Sequence, residues 1–182
     1  MRSRPPLVPR MAEHARSIFG EMSALAAQTG AINLGQGFPD TDGPDELKAA
    51  ATAAIRDGRG NQYPPVHGIP ALREAIAEHQ QRFYGLTVDA GTEVVVTTGA
   101  SEAIQSALLA LVDEGDEVIV FEPWFDIYAA GISLARGRRV GVRLVGPDLR
   151  PDLAALRAAI TDRTRLILLN SPHNPSGIVF TP

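Results

Sequence analysis

From Glu93 onward the chain alternates short apolar runs, rich in β-branched residues, with stretches of helical period. No other feature constrains the fold as much. Strands are expected at Glu93–Thr97, Glu117–Phe121, Arg138–Leu144 and Leu166–Asn170. Between them the spacing predicts helices over Ser101–Val112, near Ile127–Leu134 and over Leu153–Ile160. Parallel strands need long crossovers and helices supply them, so the expected class is α/β, a mainly parallel sheet with helices on both faces. Ser101–Val112 is apolar on most sides, as befits a helix deep in such a layer.

The first half reads differently. Met1–Arg10 carries three prolines and no apolar period, which suggests a mobile arm. Ile18, Met22, Leu25 and Ala26 share a helical face over Ile18–Gln28, and Gly30 is a stop signal. Ala31–Asp40 is short and glycine-rich, a brief extended piece entering a loop. A second helix is expected from Pro44, at the first helical position, to Asp57. Asn61–Gly68 is an irregular loop, and Pro70 opens a third helix with Leu72, Ile76, His79 and Phe83 on one face. His79 is thus expected in or beside the core. Thr181–Pro182 has the form of a helix cap and first residue, so the expectation is a chain truncated before its next helix.

Composition narrows the function classes. The 182 residues are 45% hydrophobic and 21% charged, an ordinary globular balance. A net charge of -4 without a basic run argues against nucleic acid. No apolar stretch reaches the roughly 20 residues of a membrane helix. With no cysteine and no apolar leader near the start, the expected location is cytoplasmic. His14, His67, His79 and His173 show no paired spacing for a metal, and none is assigned. Of the seventeen basic residues only Lys48 is lysine; it is expected on the surface of the second helix.

In open α/β sheets ligands lie beyond the carboxyl ends of the strands, and three such segments stand out. Thr98-Gly-Ala-Ser-Glu102 is a small-residue turn entering a helix, where free N–H groups and the helix dipole suit a phosphate; equally it is a plain turn with Ser101 as cap. Glu122-Pro-Trp-Phe-Asp-Ile-Tyr128 concentrates aromatic residues that could stack on a flat heterocycle or simply fill core. Ser171-Pro-His-Asn-Pro-Ser-Gly177 holds the amide of Asn174 between prolines, either to aim it or merely to reverse the chain.

Taken in order, Asn33–Asp40, Asn61-Gln-Tyr63, Thr98–Ala103, Glu114–Glu117, Glu122–Phe125 and Asn170–Gly177 resemble the successive motifs of class I/II aminotransferases of fold type I. The likeness is closest to kynurenine, methionine and actinobacterial N-succinyldiaminopimelate aminotransferases and covers the chain from about Phe19. The resemblance implies pyridoxal 5'-phosphate (PLP) as cofactor, amino acid and 2-oxo acid substrates, and a homodimer. It implies that Gly99, Ala100 and Ser101 hold the cofactor phosphate, Phe125 stacks on its ring and Asn174 bonds the 3-hydroxyl oxygen. Tyr63 would reach a partner's cofactor phosphate, while Gly37 and Phe19 would line the substrate pocket. Residues 1–43 would be an arm and small-domain segment, and 44–182 part of the PLP-binding large domain. Relatives often carry an aromatic residue where this chain has Ser101, which implies a more open pocket.

The resemblance also implies that the Schiff-base lysine lies beyond Pro182, so no catalytic residue is assigned and the chain alone is expected to be inactive. A carbon-sulfur lyase of the same fold shares every motif. A non-catalytic degenerate fragment or a sensor domain is another class, the sensor lacking any preceding helix-turn-helix segment. Gly99-Ala-Ser101-Glu-Ala103, followed by Asp126 or Asp152 and then His173, approximates a serine hydrolase's order but lacks the second flanking glycine.

Overall fold

The computed structural model describes residues 7–15, 17–37, 39 and 41–181. In chain order it contains a 3-10 helix Pro9–His14, α1 Ile18–Thr29, α2 Asp45–Arg56, α3 Pro70–Tyr84, α4 Gly99–Leu111, β1 Glu117–Glu122 and α5 Asp126–Leu134, followed by β2 Arg138–Val145, β3 Arg150–Pro151, α6 Leu153–Ala159 and β4 Thr164–Leu168. The chain divides into two units, one of Met1–Gln36 with Ala100–Pro182 and the other of Gly37–Gly99.

The larger unit holds the sheet, in the order β3-β2-β1-β4. β1 runs parallel to both β2 and β4, and only β3 is antiparallel to its neighbour. The expected α/β class is therefore observed. Val118 and Val120 of β1 face one side and join Leu108, Val112, Tyr128 and Ile132 from α4, α5 and their flanks. Ile119 and Phe121 face the other side, with Val142 and Leu144 of β2 and partly buried Leu156, Ile178 and Phe180. This two-sided burial explains why β1 reads as a continuous apolar run.

The amino end of β1 is pinned electrostatically. Glu117 is fully buried, yet its Oε1 accepts from Arg138 Nη2 at 2.5 Å and Arg163 Nε at 3.0 Å, and its Oε2 from the Thr161 hydroxyl at 2.8 Å. Both guanidinium groups keep most of their surface in solvent, so a single buried charge is met by two hydrated ones. These hydrogen bonds, Arg138's foremost, outweigh burial and bring the carboxyl from 4.5 down to about 2. One carboxylate thereby joins β1 to the start of β2 and to the turn before β4.

Several expectations are corrected. Glu93–Thr97 is not a strand: it is extended, with Val94 buried and the Val96 N–H bonded to His67 O at 3.0 Å, but no described strand lies alongside it. Its close approach requires Gly68, at φ +97, where a Cβ would fall 2.5 Å from Val96 Cγ2. α4 is not buried all round; Leu108 is its one fully buried residue, and Leu109 and Leu111 are exposed. His79 is exposed rather than in the core, and stacks on Phe83 at 4.6 Å. Pro44 is the cap of α2 rather than its first residue. β4 starts two residues early and stops at Leu168, while β3 was not expected. Pro9 and Arg10 of the expected arm belong to the 3-10 helix, whose His14 Nε2 lies 3.0 Å from Ser133 Oγ. The remainder of the arm up to Pro6, and Pro182 of the expected helix start, lie outside the described residues.

Two predictions follow from this packing. Because the folded-state pKa of Glu117 is depressed, its stabilisation is present above about pH 4.5 and is lost as the pH falls toward 2. Thermal melts should show Glu117→Gln lowering the midpoint at pH 7 more than Arg136→Ala, which breaks an exposed pair with Glu114, and flattening the acid limb. In α5, a Cβ on Gly131 would lie 2.7 Å from Leu108 Cδ1 and 3.0 Å from Gln105 Oε1. Gly131→Val should cost about 1–3 kcal/mol in urea unfolding.

Candidate functional site

β1 and β4 are parallel neighbours, so the loops that leave their carboxyl ends emerge on the same edge of the sheet. The β1 loop delivers Trp124 and Phe125, and Phe125 caps α5 in an extended conformation. Its half-buried ring meets Tyr128 edge-on at 5.8 Å and Phe19 of α1 at 6.4 Å. Phe19 and Phe125, a hundred residues apart in sequence, are thus brought together. Ser17 fixes this approach: its hydroxyl donates to Asp126 Oδ2 at 3.0 Å and accepts from the Phe19 N–H at 3.2 Å. Tyr128 is buried, which pushes its hydroxyl above the usual tyrosine value. Trp124 lies under the Arg139 guanidinium, 4.3 Å from its ring centroid.

The β4 loop is held by its own hydrogen bonds. Asn170 Oδ1 accepts from the Asn174 N–H at 2.7 Å, the Gly177 N–H returns to His173 O at 2.7 Å, and Ser171 Oγ accepts from the Phe180 N–H at 3.1 Å. His173 points inward, with Nδ1 2.7 Å from Ser176 Oγ and its ring against Phe180. Burial depresses its pKa, favouring the neutral ring. With the histidine turned into the core, the Asn174 residue is left exposed on a fixed frame.

α4 contributes the third part. Its end lies beside the start of β4, where Leu111 O accepts from Arg165 Nε at 2.8 Å, and Ile104 lines one cavity with Leu168, so the helix start lies toward the carboxyl end of β4. Ala100 and Ser101 are exposed there, in the first turn of the helix, where the dipole is positive. Ala100, Ser101, Phe125, Asn174 and Phe19 all belong to the larger unit. Gly99, Gly37 and Tyr63 belong to the other unit, where Gly37 and Gly99 are exposed and Tyr63 is 100% exposed.

The hydrolase order does not assemble. His173 is paired with Ser176, Asp126 with Ser17, and Asp152 accepts from the N–H groups of Ala154 and Ala155 at the start of α6. No metal-binding group of side chains occurs among the described residues, and none of the described helices is long and apolar enough to cross a membrane. Sequence reasoning missed Ser17, Asn170 and Ser176. Ser17 bonds the Phe19 N–H and Asp126, Asn170 the Asn174 N–H, and Ser176 the His173 ring beside Asn174, and only the Asn170–Asn174 spacing, four residues within a proline-rich loop, hinted at it.

These parts suit an anionic, flat ligand: a helix start, a half-exposed ring, and an exposed asparagine. The family model described as aminotransferase class I and II matches residues 29–182. A probable N-succinyldiaminopimelate aminotransferase of Mycobacterium tuberculosis is 50% identical over 96% of this chain and 44% of its own length. The methionine aminotransferase of Escherichia coli is 46% identical, again over 96% of this chain, and 46% of its own. The structure of the N-succinyldiaminopimelate aminotransferase from M. tuberculosis superposes with a TM-score of 0.91 at 48% identity, covering 96% of this chain and 46% of that one. The chain spans a little under half the length of these relatives.

If Asn170 frames the β4 loop, Asn170→Ala should speed amide exchange across 173–178 about five- to tenfold, the scale of one lost hydrogen bond. Ser17→Ala, acting at α5, should leave that exchange unchanged.

Proposed function

Because the chain belongs to the class I and II aminotransferase family, we propose that it carries the cofactor-holding half of a PLP-dependent enzyme that moves an amino group between an amino acid and a 2-oxo acid. The observation that carries this reading is the convergence, at one edge of the sheet, of the α4 start, the Phe125 ring and the Asn174 loop. Pyridoxal 5'-phosphate, when bound, supplies an electron sink that no side chain offers.

On this reading each residue has a limited task. The backbone of Gly99, Ala100 and Ser101, reinforced by the α4 dipole, holds the phosphate through the N–H groups of Ala100 and Ser101, the Gly99 N–H being taken by Thr97 O at 2.8 Å. Phe125, supported by Tyr128 and Phe19, stacks on the ring and shields one face from water. The Asn174 amide donates to the 3-hydroxyl oxygen. Phe19 borders the substrate, while the roles of Gly37 toward the substrate carboxylate and of Tyr63 toward the phosphate of a partner copy, in a cytoplasmic homodimer, are those the family resemblance implies.

Proton movement needs a free amine, and on this reading Lys48 does not supply it. Lys48, the chain's one lysine, is half exposed on α2 and paired with Asp45 Oδ1 at 2.6 Å. The 182-residue chain therefore binds the cofactor without turning over. Trp124, the single tryptophan, adjoins Phe125 and reports binding.

Titrating the Lys48→Arg chain with PLP should quench Trp124 fluorescence. Asn174→Ala should weaken binding about fivefold or more, and Phe125→Leu similarly. Unchanged affinity in both variants would contradict the site. Amino transfer from any amino acid to 2-oxoglutarate by the 182-residue chain would contradict its inactivity.

A further inference from the structure

Near the carboxyl ends of β1 and β2, Glu122 and Arg143 stand in register, opposite charges side by side on one face of the sheet. Neighbours of that kind usually pair. These do not: among the described residues, neither side chain has a hydrogen bond or an ion pair. The half-buried Glu122 is instead turned back onto Gly141, where a Cβ would collide with its Oε1 and lie 2.9 Å from its Cδ. Only glycine leaves a carboxylate room to lie there. Arg139, two residues before Gly141, holds its guanidinium over the Trp124 ring. Around these groups is an open cavity of about 880 Å³, whose lining includes Glu122, Trp124, Arg143, Val145, Gly146 and Leu149. Leu149 stands at φ +49, a left-handed conformation that bulky residues avoid, and its N–H closes on Gly146 O at 3.3 Å. Backbone strain of that kind clusters at ligand sites.

We propose that this cavity binds a free α-amino acid with an apolar side chain, at a site separate from the one that holds the cofactor. The charge pattern selects the ligand. An anion bound to Arg143 alone would face Glu122, and a cation bound to Glu122 alone would face Arg143. A molecule with an ammonium and a carboxylate on one carbon satisfies both. Its ammonium donates to the Glu122 carboxylate, and its carboxylate accepts from the Arg143 guanidinium. Its side chain packs on Trp124 and Leu149, the apolar part of the lining. The two sites lie on opposite sides of β1: β2 flanks it here, whereas the Asn174 loop and the α4 start lie on the β4 side. They adjoin at Trp124, which precedes Phe125.

The cofactor assignment plays no part in this, and the test is made without PLP, so that either reading can fail while the other stands. L-leucine is titrated into the isotope-labelled 182-residue chain. The amide signals of Val145, Gly146 and Leu149 and the Trp124 indole signal should move together and saturate with a dissociation constant of about 1 mM or tighter, while those of Ala100 and Asn174 stay in place. 4-Methylpentanoate, which lacks the ammonium, and 3-methylbutylamine, which lacks the carboxylate, should each bind at least ~10-fold more weakly. Glu122→Gln and Arg143→Gln should each weaken leucine at least ~10-fold, and Gly141→Ala should weaken it by displacing Glu122 with no change of charge. Arg136→Gln, at the exposed pair with Glu114, should leave binding unchanged. Because Arg143 is exposed, its variant tests the site even if Glu122→Gln does not fold. Absence of saturation below about 20 mM would overturn the proposal. So would equal affinity for 4-methylpentanoate, or leucine binding insensitive to Arg143→Gln.

Discussion

Glu117 is buried at the amino end of β1, and its carboxylate is satisfied only by groups from β2 and from the turn before β4. A lone charge in that position would be prohibitive, so β1, β2 and β4 have to be assembled in one arrangement for it to be tolerated. The apolar run Val118–Phe121 then leaves the ion pair toward the opposite end, buried on both faces. The charge sets where the strands begin together; the side chains after it hold them side by side.

What this does for the site is geometric. With β1 and β4 fixed in parallel, the loops that follow them start from adjacent points on the sheet edge. The β1 loop turns at once into α5 and presents Phe125, while the β4 loop closes on buried His173 and leaves Asn174 exposed. α4 runs back along β4 from that edge, its end beside Arg165, so that its start lies toward the same edge. Ser17 and His14 then draw the N-terminal segment onto α5 and bring Phe19 to Phe125. Ring, amide and helix start are thus supported by the core rather than by one another.

How much of this could be read from the sequence depended on whether the determinant was local. β1, β2, α5 and α6 were legible because each is a run of its own period, bounded by Gly, Pro or Asp. The loops of Phe125 and Asn174 were legible as aromatic and proline-rich islands after strands, and their assignment to a family came from the order of several motifs together. Glu93–Thr97 looked like a strand because it holds three consecutive valines, but a strand also needs a neighbour, which composition does not supply. β3 is two residues long, too short for any period. α4 looked buried because its side chains are apolar, whereas burial depends on what lies opposite. Ser17–Asp126 and His14–Ser133 are single polar pairs more than a hundred residues apart and leave no local trace.

The central claim is that the α4 start and the two strand loops act as one cofactor site. The most direct measurement is an amide NMR titration of the isotope-labelled 182-residue chain with pyridoxal 5'-phosphate. The account predicts that the backbone signals of Ala100, Ser101 and Phe125 and the side-chain amide of Asn174 move together with one dissociation constant. Shifts centred instead on the open cavity between Glu122 and Arg143, or separate dissociation constants for the three segments, would contradict it.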